Sequence, residues 1–311
     1  MFEYYHTKKH YHTLDYYLKT KYQKKVFKVP LNASFTCPNR DGTKSTGGCI
    51  FCSLKGSGDF AGNPQDSLLE QFDKVSQNIE KKWKDAYKIA YFQAYSNTYG
   101  PISKLKECFE QFIDKKDVIG LSIATRCDCI NQEIVDYLKQ LKTHFKEFWV
   151  ELGLQSAKPS TMKQLNLCYS FKEFKDAVKT LAKADIDVVV HIIDGLVNET
   201  KQDQIETIKK INKLPIKGIK IHVLNIIENT KLGDIYKQKP FKILSEDEFV
   251  DIVSDQISYL KDDIIIHRLG ADSKQEDLIA PDWARHKFSV VDKIDMNLDK
   301  NEIYQGDNYK S

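Results

Sequence analysis

The feature that most restricts the fold of this chain is a rhythm. Apolar runs rich in β-branched residues occupy 26–31, 89–94, 118–124, 148–154, 187–193, 218–224 and 264–269. Helix-period segments fill the intervals at 65–84, 102–115, 132–143, 171–183, 201–213 and 245–260. Continuous apolar runs suit parallel strands covered on both faces. A strand and its crossover helix take roughly 30 residues, which is about the repeat through the middle of the chain. Such alternation specifies a parallel α/β sheet. Asn131, Ser170 and Ser245 stand where helix N-caps belong, and Glu248 completes a capping-box pattern with Ser245. Six units and one further strand fall short of a closed eight-unit barrel. The expected architecture is therefore α/β, a partial (open) TIM-type barrel of about six βα units with a C-terminal extension. A doubly wound sheet is the second arrangement consistent with the pattern. Either one gathers function at the C-terminal ends of its strands. The expected divisions are an N-terminal arm over 1–25, a barrel core over 26–230 and a C-terminal extension over 231–311.

Composition narrows the class. At 311 residues, 41% hydrophobic and 29% charged, the chain is neither disordered nor a disulfide-stapled miniprotein. The N-terminus lacks the apolar run of a signal peptide. The longest apolar stretch, 186–197, is broken by Asp187, His191 and Asp194 and is too short to span a bilayer. A soluble, cytoplasmic protein with no membrane partner is expected, and in that reducing setting seven cysteines read as ligands, reactive thiols or small core residues. The net charge of +3 is unevenly spread: the first 30 residues carry seven Lys against Glu3 and Asp15. Tyr4, Tyr5, Tyr11, Tyr16, Tyr17 and Tyr22 are interleaved with those lysines. This mixture suits either a nucleic acid, through phosphate neutralisation and base stacking, or an arm that packs its tyrosines on the body.

The first βα connection is about twice as long as the others and contains LNASFTCPNRDGTKSTGGCIFC, with Cys37, Cys49 and Cys52 spaced C-x11-C-x2-C. Three thiolates on one Gly-rich loop at a strand's C-terminal end form a soft-metal site. Structural zinc wants four closed ligands, and a [4Fe–4S] cluster normally takes four Cys. A cluster held by three leaves one iron open.

These three cysteines, with Phe51 just before the last, resemble the motif of the radical S-adenosylmethionine (SAM) superfamily, although the usual spacing there is C-x3-C-x2-C. The longer gap, the flanking CPNRDG and GGC, and later strand motifs closely resemble the YhcC group of that superfamily and, more distantly, the radical domain of the Elongator catalytic subunit. The resemblance runs from about Tyr22 to the C-terminal end. It implies that Cys37, Cys49 and Cys52 hold a [4Fe–4S] cluster whose open iron is chelated by S-adenosyl-L-methionine. It further implies reductive cleavage to a 5′-deoxyadenosyl radical, with an electron donor such as a flavodoxin or ferredoxin. The protein's share of such chemistry is orientation and exclusion of water and oxygen.

Other strand ends supply candidates for cofactor contact. The second strand ends in Gln93-Ala94-Tyr95-Ser96, where the superfamily commonly has Gly-Gly-Glu. The third ends in LSIATRCDC, placing Arg126 and Asp128 near a carboxylate or ribose and leaving Cys127 and Cys129 as packing or pocket residues. Period-two alternation puts Glu151, Gly153 and Gln155 on one face of the fourth strand. His191 and His222 hold matching places in VVVHIIDG and IKIHVLN, which fits a polar lining of a barrel interior better than two core histidines. By resemblance, Glu151, Gln155 and the segment from His191 to Gly195 contact SAM. In GLVNET, Val197 and Asn198 replace the family's Pro and Gly. Asn166-Leu167-Cys168-Tyr169 stands where Elongator-type proteins have Asn-Arg-Gly-His. Only four basic residues are Arg, and Arg40, Arg126 and Arg268 fall at the expected rim, whereas Arg285 does not; Lys cannot supply Arg's two-pronged donor pattern.

The reading is a radical SAM enzyme, with no single residue assigned the catalytic step. The resemblance points to tRNA as partner and to wobble-uridine modification, maturation of the carboxymethylaminomethyl group. One alternative keeps the cluster and places a small metabolite or protein side chain in the pocket. The other is a non-catalytic, metal-containing RNA-binding protein. Anaerobically reconstituted protein is expected to bind about four irons and absorb broadly near 400 nm; a Cys49→Ala variant that still assembled a SAM-cleaving cluster would overturn the ligand assignment.

Overall fold

Helix starts are written into the sequence as capping boxes. Ser67 with Glu70, Ser170 with Glu173, Thr200 with Asp203 and Ser245 with Glu248 each satisfy two backbone N–H groups reciprocally. The computed structural model describes residues 7–270 and 274–310. Along the chain run α1 (Leu14–Tyr22), β1 (Val26–Leu31), α2 (Leu68–Glu80), β2 (Tyr87–Phe92), α3 (Ile102–Phe109), β3 (Val118–Thr125) and α4 (Gln132–Lys142). Then come β4 (Glu147–Gln155), α5 (Pro159–Gln164), α6 (Phe171–Lys183), β5 (Asp187–Asp194), α7 (Lys201–Ile211) and β6 (Gly218–Val223). The remainder holds β7 (Ile226–Ile227), α8 (Lys231–Gln238), α9 (Glu246–Tyr259), β8 (Ile265–Leu269), β9 (Leu278–Ala280) and α10 (Lys287–Lys300).

Seven strands form one sheet in the order β1-β2-β3-β4-β5-β6-β8, every pairing parallel. The order never reverses, so there is no switch point of the doubly wound kind, and the sheet is the expected partial barrel. Burial follows from this. β2, β3 and β4 are buried at nearly every position, because helices cover the outer face and the barrel interior covers the other. Phe92, Phe109 and Phe112 stack edge-on in the outer layer, with centroids 4.6 and 5.8 Å apart.

The N-terminal residues close the barrel. Thr13 forms a parallel bridge with Ile266, and the Ile266 amide donates to the His12 carbonyl at 2.7 Å, so residues 12–13 extend the sheet past β8. α1 then lies under the barrel floor, where Leu18 packs with Val26, Ile89, Ile119, Trp149 and Val189. The buried carboxylate of Glu147 receives Lys21 Nζ at 2.7 Å and the Tyr22 hydroxyl at 2.6 Å. Tyr11, Tyr17 and Tyr22 thus face the body; Tyr4 and Tyr5 lie outside the described residues.

The long expected helix at 65–84 begins only at Leu68, because Ser67 caps it, and 102–115 ends as α-helix at Phe109 before a 3-10 turn. α1, α5, α8, α10 and the antiparallel pair β7–β9 are additions to the expected pattern. No helix among the described residues is long and apolar enough to cross a membrane.

The C-terminal ends of β2 and β3 are clamped by one side chain. Asn97, fully buried, donates its amide to the carbonyls of Phe92, Ala94 and Ala124 at 3.1, 3.0 and 2.8 Å. Asn97→Ala is expected to cost about 2–3 kcal/mol, since it leaves buried carbonyls unpaired, read as a lower urea midpoint at unchanged slope.

Candidate active site

The first βα loop leaves β1 at the rim and folds over the barrel mouth. Its backbone is held at both ends of the cysteine pair: the Ile50 amide donates to the Leu165 carbonyl at 3.1 Å, and Cys52 N–H to Cys49 O at 3.0 Å. Asn166, after β4, donates to the Gly48 carbonyl at 2.9 Å and accepts at its own carbonyl from Asn39 Nδ2 at 2.5 Å. Arg40 lies across the loop and donates to the carbonyls of Cys52 and Ser53 at 3.1 and 2.5 Å. Gly48, at φ +83°, permits this, because a Cβ there would meet Arg40 Nε at 2.9 Å.

Cys37, Cys49 and Cys52 all line one cavity of about 460 Å³. Asn39 Nδ2 approaches Cys49 Sγ at 3.5 Å and Arg126 Nη1 at 4.0 Å. Burial pushes the Cys49 thiol up to about 12 and neighbouring Cys52 adds to this, while Arg126 and Asn39 pull it back. Among the described residues no three His, Cys, Asp or Glu side chains converge on a single metal ion. The three thiols thus form an incomplete set at the edge of a roomy cavity, not a closed zinc site.

Arg126 is fixed by a two-pronged contact with Asp128, at 2.9 and 2.8 Å, and by Nη2 to the Leu167 carbonyl at 2.7 Å. Its guanidinium lies over the Tyr169 ring at 4.9 Å. Burial would raise the Asp128 pKa, but Arg126 and Lys44 outweigh it and hold the carboxyl low. Gln93 donates to the Ser57 carbonyl at 2.9 Å. Cys127 and Cys129 are buried and do not line the cavity; burial raises both thiols.

The middle layer of the barrel is polar. Glu151, 1% exposed, accepts Lys28 Nζ and Ser122 Oγ on one oxygen, both at 2.5 Å. Its other oxygen meets Lys220 Nζ at 2.5 Å and His191 Nε2 at 2.7 Å. His222 Nε2 continues the chain to His191 Nδ1 at 3.3 Å. Burial would neutralise Glu151, but Lys220 and Lys28 hold it well below the usual carboxylate range. Burial, reinforced by Lys220, pushes His191 down to about 4. His222 and His267 are likewise held low, chiefly by burial.

Of the residues singled out in the sequence, Cys37, Cys49, Cys52, Gln93, Arg126, Glu151, Gln155, His191 and His222 line this one cavity, as do Arg40 and Arg268. Gly195 does not; at φ +83° it turns the chain out of β5 beneath Leu244. Arg285 is engaged elsewhere, with Asp282 and the Leu278 carbonyl. Sequence reasoning missed Lys28, Tyr91, Ser122, Lys220 and His267. The available signal was a lysine at an inward period-two place in VFKVPL and IKIHV.

Residues 37–211 match the Radical SAM superfamily and residues 216–300 the Radical_SAM C-terminal domain. Bacillus subtilis YtqA is 42% identical over 305 residues, covering 98% of this chain and 94% of YtqA. Escherichia coli YhcC is 27% identical over 286 residues, covering 92% and 91%. A tRNA uridine(34) acetyltransferase of Methanocaldococcus infernus is 28% identical over 144 residues, 45% of this chain and 26% of that protein. Among solved structures, the archaeal Elp3 of M. infernus superposes with a TM-score of 0.67 at 16% identity, over 91% of this chain and 64% of that one; this likeness is one of fold.

The buried histidines set the response to acid. The unfolded chain takes up a proton on each near pH 6.5, whereas folded His191 declines it until about 4. The unfolded state therefore binds more protons in that window, so stability is fully present above about pH 6.5 and lost as pH falls toward 4. Guanidinium midpoints are expected to fall between pH 7.5 and 5, and the imidazole resonances of His191 are expected not to titrate between pH 8 and 5.

Proposed function

The chain belongs to the radical SAM superfamily, and from that premise we propose that it acts on a wobble uridine of tRNA. It is an iron–sulfur, SAM-dependent enzyme, which sets aside the non-catalytic RNA-binding reading. The observation that carries the chemistry is the incomplete cysteine triad facing the barrel cavity. Its donor set fits a [4Fe–4S] cluster: three thiols lining the cavity, with Asn39 and Arg126 placed to donate toward the Cys49 sulfur. Cys37, Cys49 and Cys52 would hold the cluster, and when bound it supplies, with SAM, a 5′-deoxyadenosyl radical that abstracts hydrogen from a substrate.

The chain's own residues do the rest. Arg40, Asn39 and Asn166 fix the loop that carries the thiols. Gln93, Arg126, Gln155, His191 and His222 line the wall on which SAM would rest. Leu18 and its neighbours close the floor, keeping water from below out of the interior. The reducing electron would come from a donor such as a flavodoxin or ferredoxin.

Two observations support tRNA. Nearly half of the chain aligns with a tRNA uridine(34) acetyltransferase. The first described residues and α1 also carry exposed Lys8, Lys19 and Lys24, the kind of surface that neutralises phosphates. Mass spectrometry of tRNA nucleosides from cells lacking the protein is expected to show loss of a modified wobble uridine. Lys8→Glu, Lys19→Glu and Lys24→Glu together are expected to weaken tRNA binding tenfold or more and flatten its salt dependence. Unchanged nucleosides with no tRNA retention by the intact protein would instead favour a small metabolite or a protein side chain.

A further inference from the structure

Two lysines from distant strands share one carboxylate at mid-barrel, and the charges do not balance. Lys28 and Lys220 each donate to a different oxygen of Glu151, and Ser122 and His191 occupy its remaining acceptor positions. A carboxylate offers about four such positions, so Glu151 is saturated. Each ammonium has three N–H donors. Lys28 directs a second at Ser122 Oγ, 3.3 Å away, and Lys220 a second at the Tyr91 hydroxyl, 3.1 Å away. Lys28 Nζ also lies over the Tyr91 and Trp149 rings at 5.0 and 4.7 Å, and Lys220 Nζ over the Tyr91 ring at 4.5 Å; both side chains line the cavity.

The surroundings sharpen the imbalance. Across β6 and β8 the register partner of Lys220 is Arg268, which lines the same cavity. Like charges opposite one another on a sheet repel, and an uncompensated buried ammonium is costly. Burial, with Lys28 and Arg268 beside it, brings Lys220 down to about 7 even against the pull of Glu151. A methionine at either lysine position would fill the space without that penalty. The arrangement is economical only when something negative occupies the cavity.

We propose that this middle layer is a receiving site for a carboxylate of the substrate, held between Lys28 and Lys220 with Arg268 alongside. Lys28, Lys220 and Arg268 face a single carboxylate, so the layer is net positive and suits an anion; a carboxylate can accept from both ammonium groups at once, one on each oxygen. Glu151 sits four residues before Gln155, the last residue of β4, which places the layer roughly 13 Å below the strand end at about 3.3 Å per residue. A carboxylate seated there holds the remainder of its molecule pointing up toward the cysteine loop. The inference stands on the cavity and the superfamily, and not on tRNA as the substrate.

The test uses anaerobically reconstituted full-length protein. Calorimetric titration with acetate and propionate is compared with acetamide, propionamide and inorganic phosphate, for the native sequence and for Lys28→Met, Lys220→Met and the exposed-site control Lys213→Met. Carboxylates are expected to bind and amides not, with affinity down tenfold or more in the first two variants and unchanged in the third. Iron content and SAM binding by equilibrium dialysis are expected to stay constant throughout. Lys28→Met and Lys220→Met each leave one acceptor position of Glu151 unfilled and are expected to lower the unfolding temperature somewhat, so binding is compared at a temperature where every variant is folded. Carboxylate binding that is absent, equal in the variants or weaker than phosphate binding would overturn the proposal. So would SAM binding that falls in step, since the lysines would then hold the cofactor's own carboxylate. Failure of the tRNA reading shows separately, in nucleosides and tRNA retention.

Discussion

A single buried carboxylate organises the inside of this barrel. Glu151 on β4 is the acceptor for donors on β1, β3, β5 and β6, so five strands converge on two oxygen atoms. A carboxylate taken out of water is expensive unless every lone pair is used, and here every one is. The consequence is a hollow interior. Where an apolar side chain would have filled the centre, charged groups meet at their tips and leave room above them. The packed core lies instead between sheet and helices, where the phenylalanines of α3 and its 3-10 continuation meet β2.

This division separates stability from chemistry. The outer layer is dry and close-packed, and carries the hydrophobic free energy of folding. The inner layer is wired by hydrogen bonds whose strength depends on protonation. The cysteine loop touches both, burying Phe35 and Ile50 in the core and accepting from Gln93 at the end of β2. It is also tied to the β4–α6 connection, through the Leu165 carbonyl and the side-chain amide and carbonyl of Asn166. The sequence of that connection departs from its Elongator-type counterpart, yet it supplies part of the loop's support.

Much of this was legible beforehand because the physics involved is local or periodic. Strand–helix alternation predicted the parallel sense of the sheet, with the partial barrel as the preferred of two architectures, and the caps Asn131, Ser170 and Ser245 located three helix starts. The cysteine triad was visible as a spacing, and Glu151, Gln155, His191 and His222 as an inward face. What escaped was set by distance in the chain. Lys28 and Lys220 gain their meaning only from Glu151, three strand positions away from the one and two from the other. The role of Asn97 depends on three carbonyls that no pattern marks. Gly195, matched by motif, serves the backbone turn and not the cavity wall. The tyrosines of the N-terminal segment looked suited to bases, while Tyr11, Tyr17 and Tyr22 spend their surface on the protein itself.

The bridge between Thr13 and Ile266 joins two residues that a ribosome makes far apart in time. Residue 13 precedes β1, and its partner on β8 follows almost the whole barrel. Contacts that close so long a loop form late. The floor helix can pack Leu18 on β1 to β5 as those strands are made, but its N-terminal anchor waits for β8.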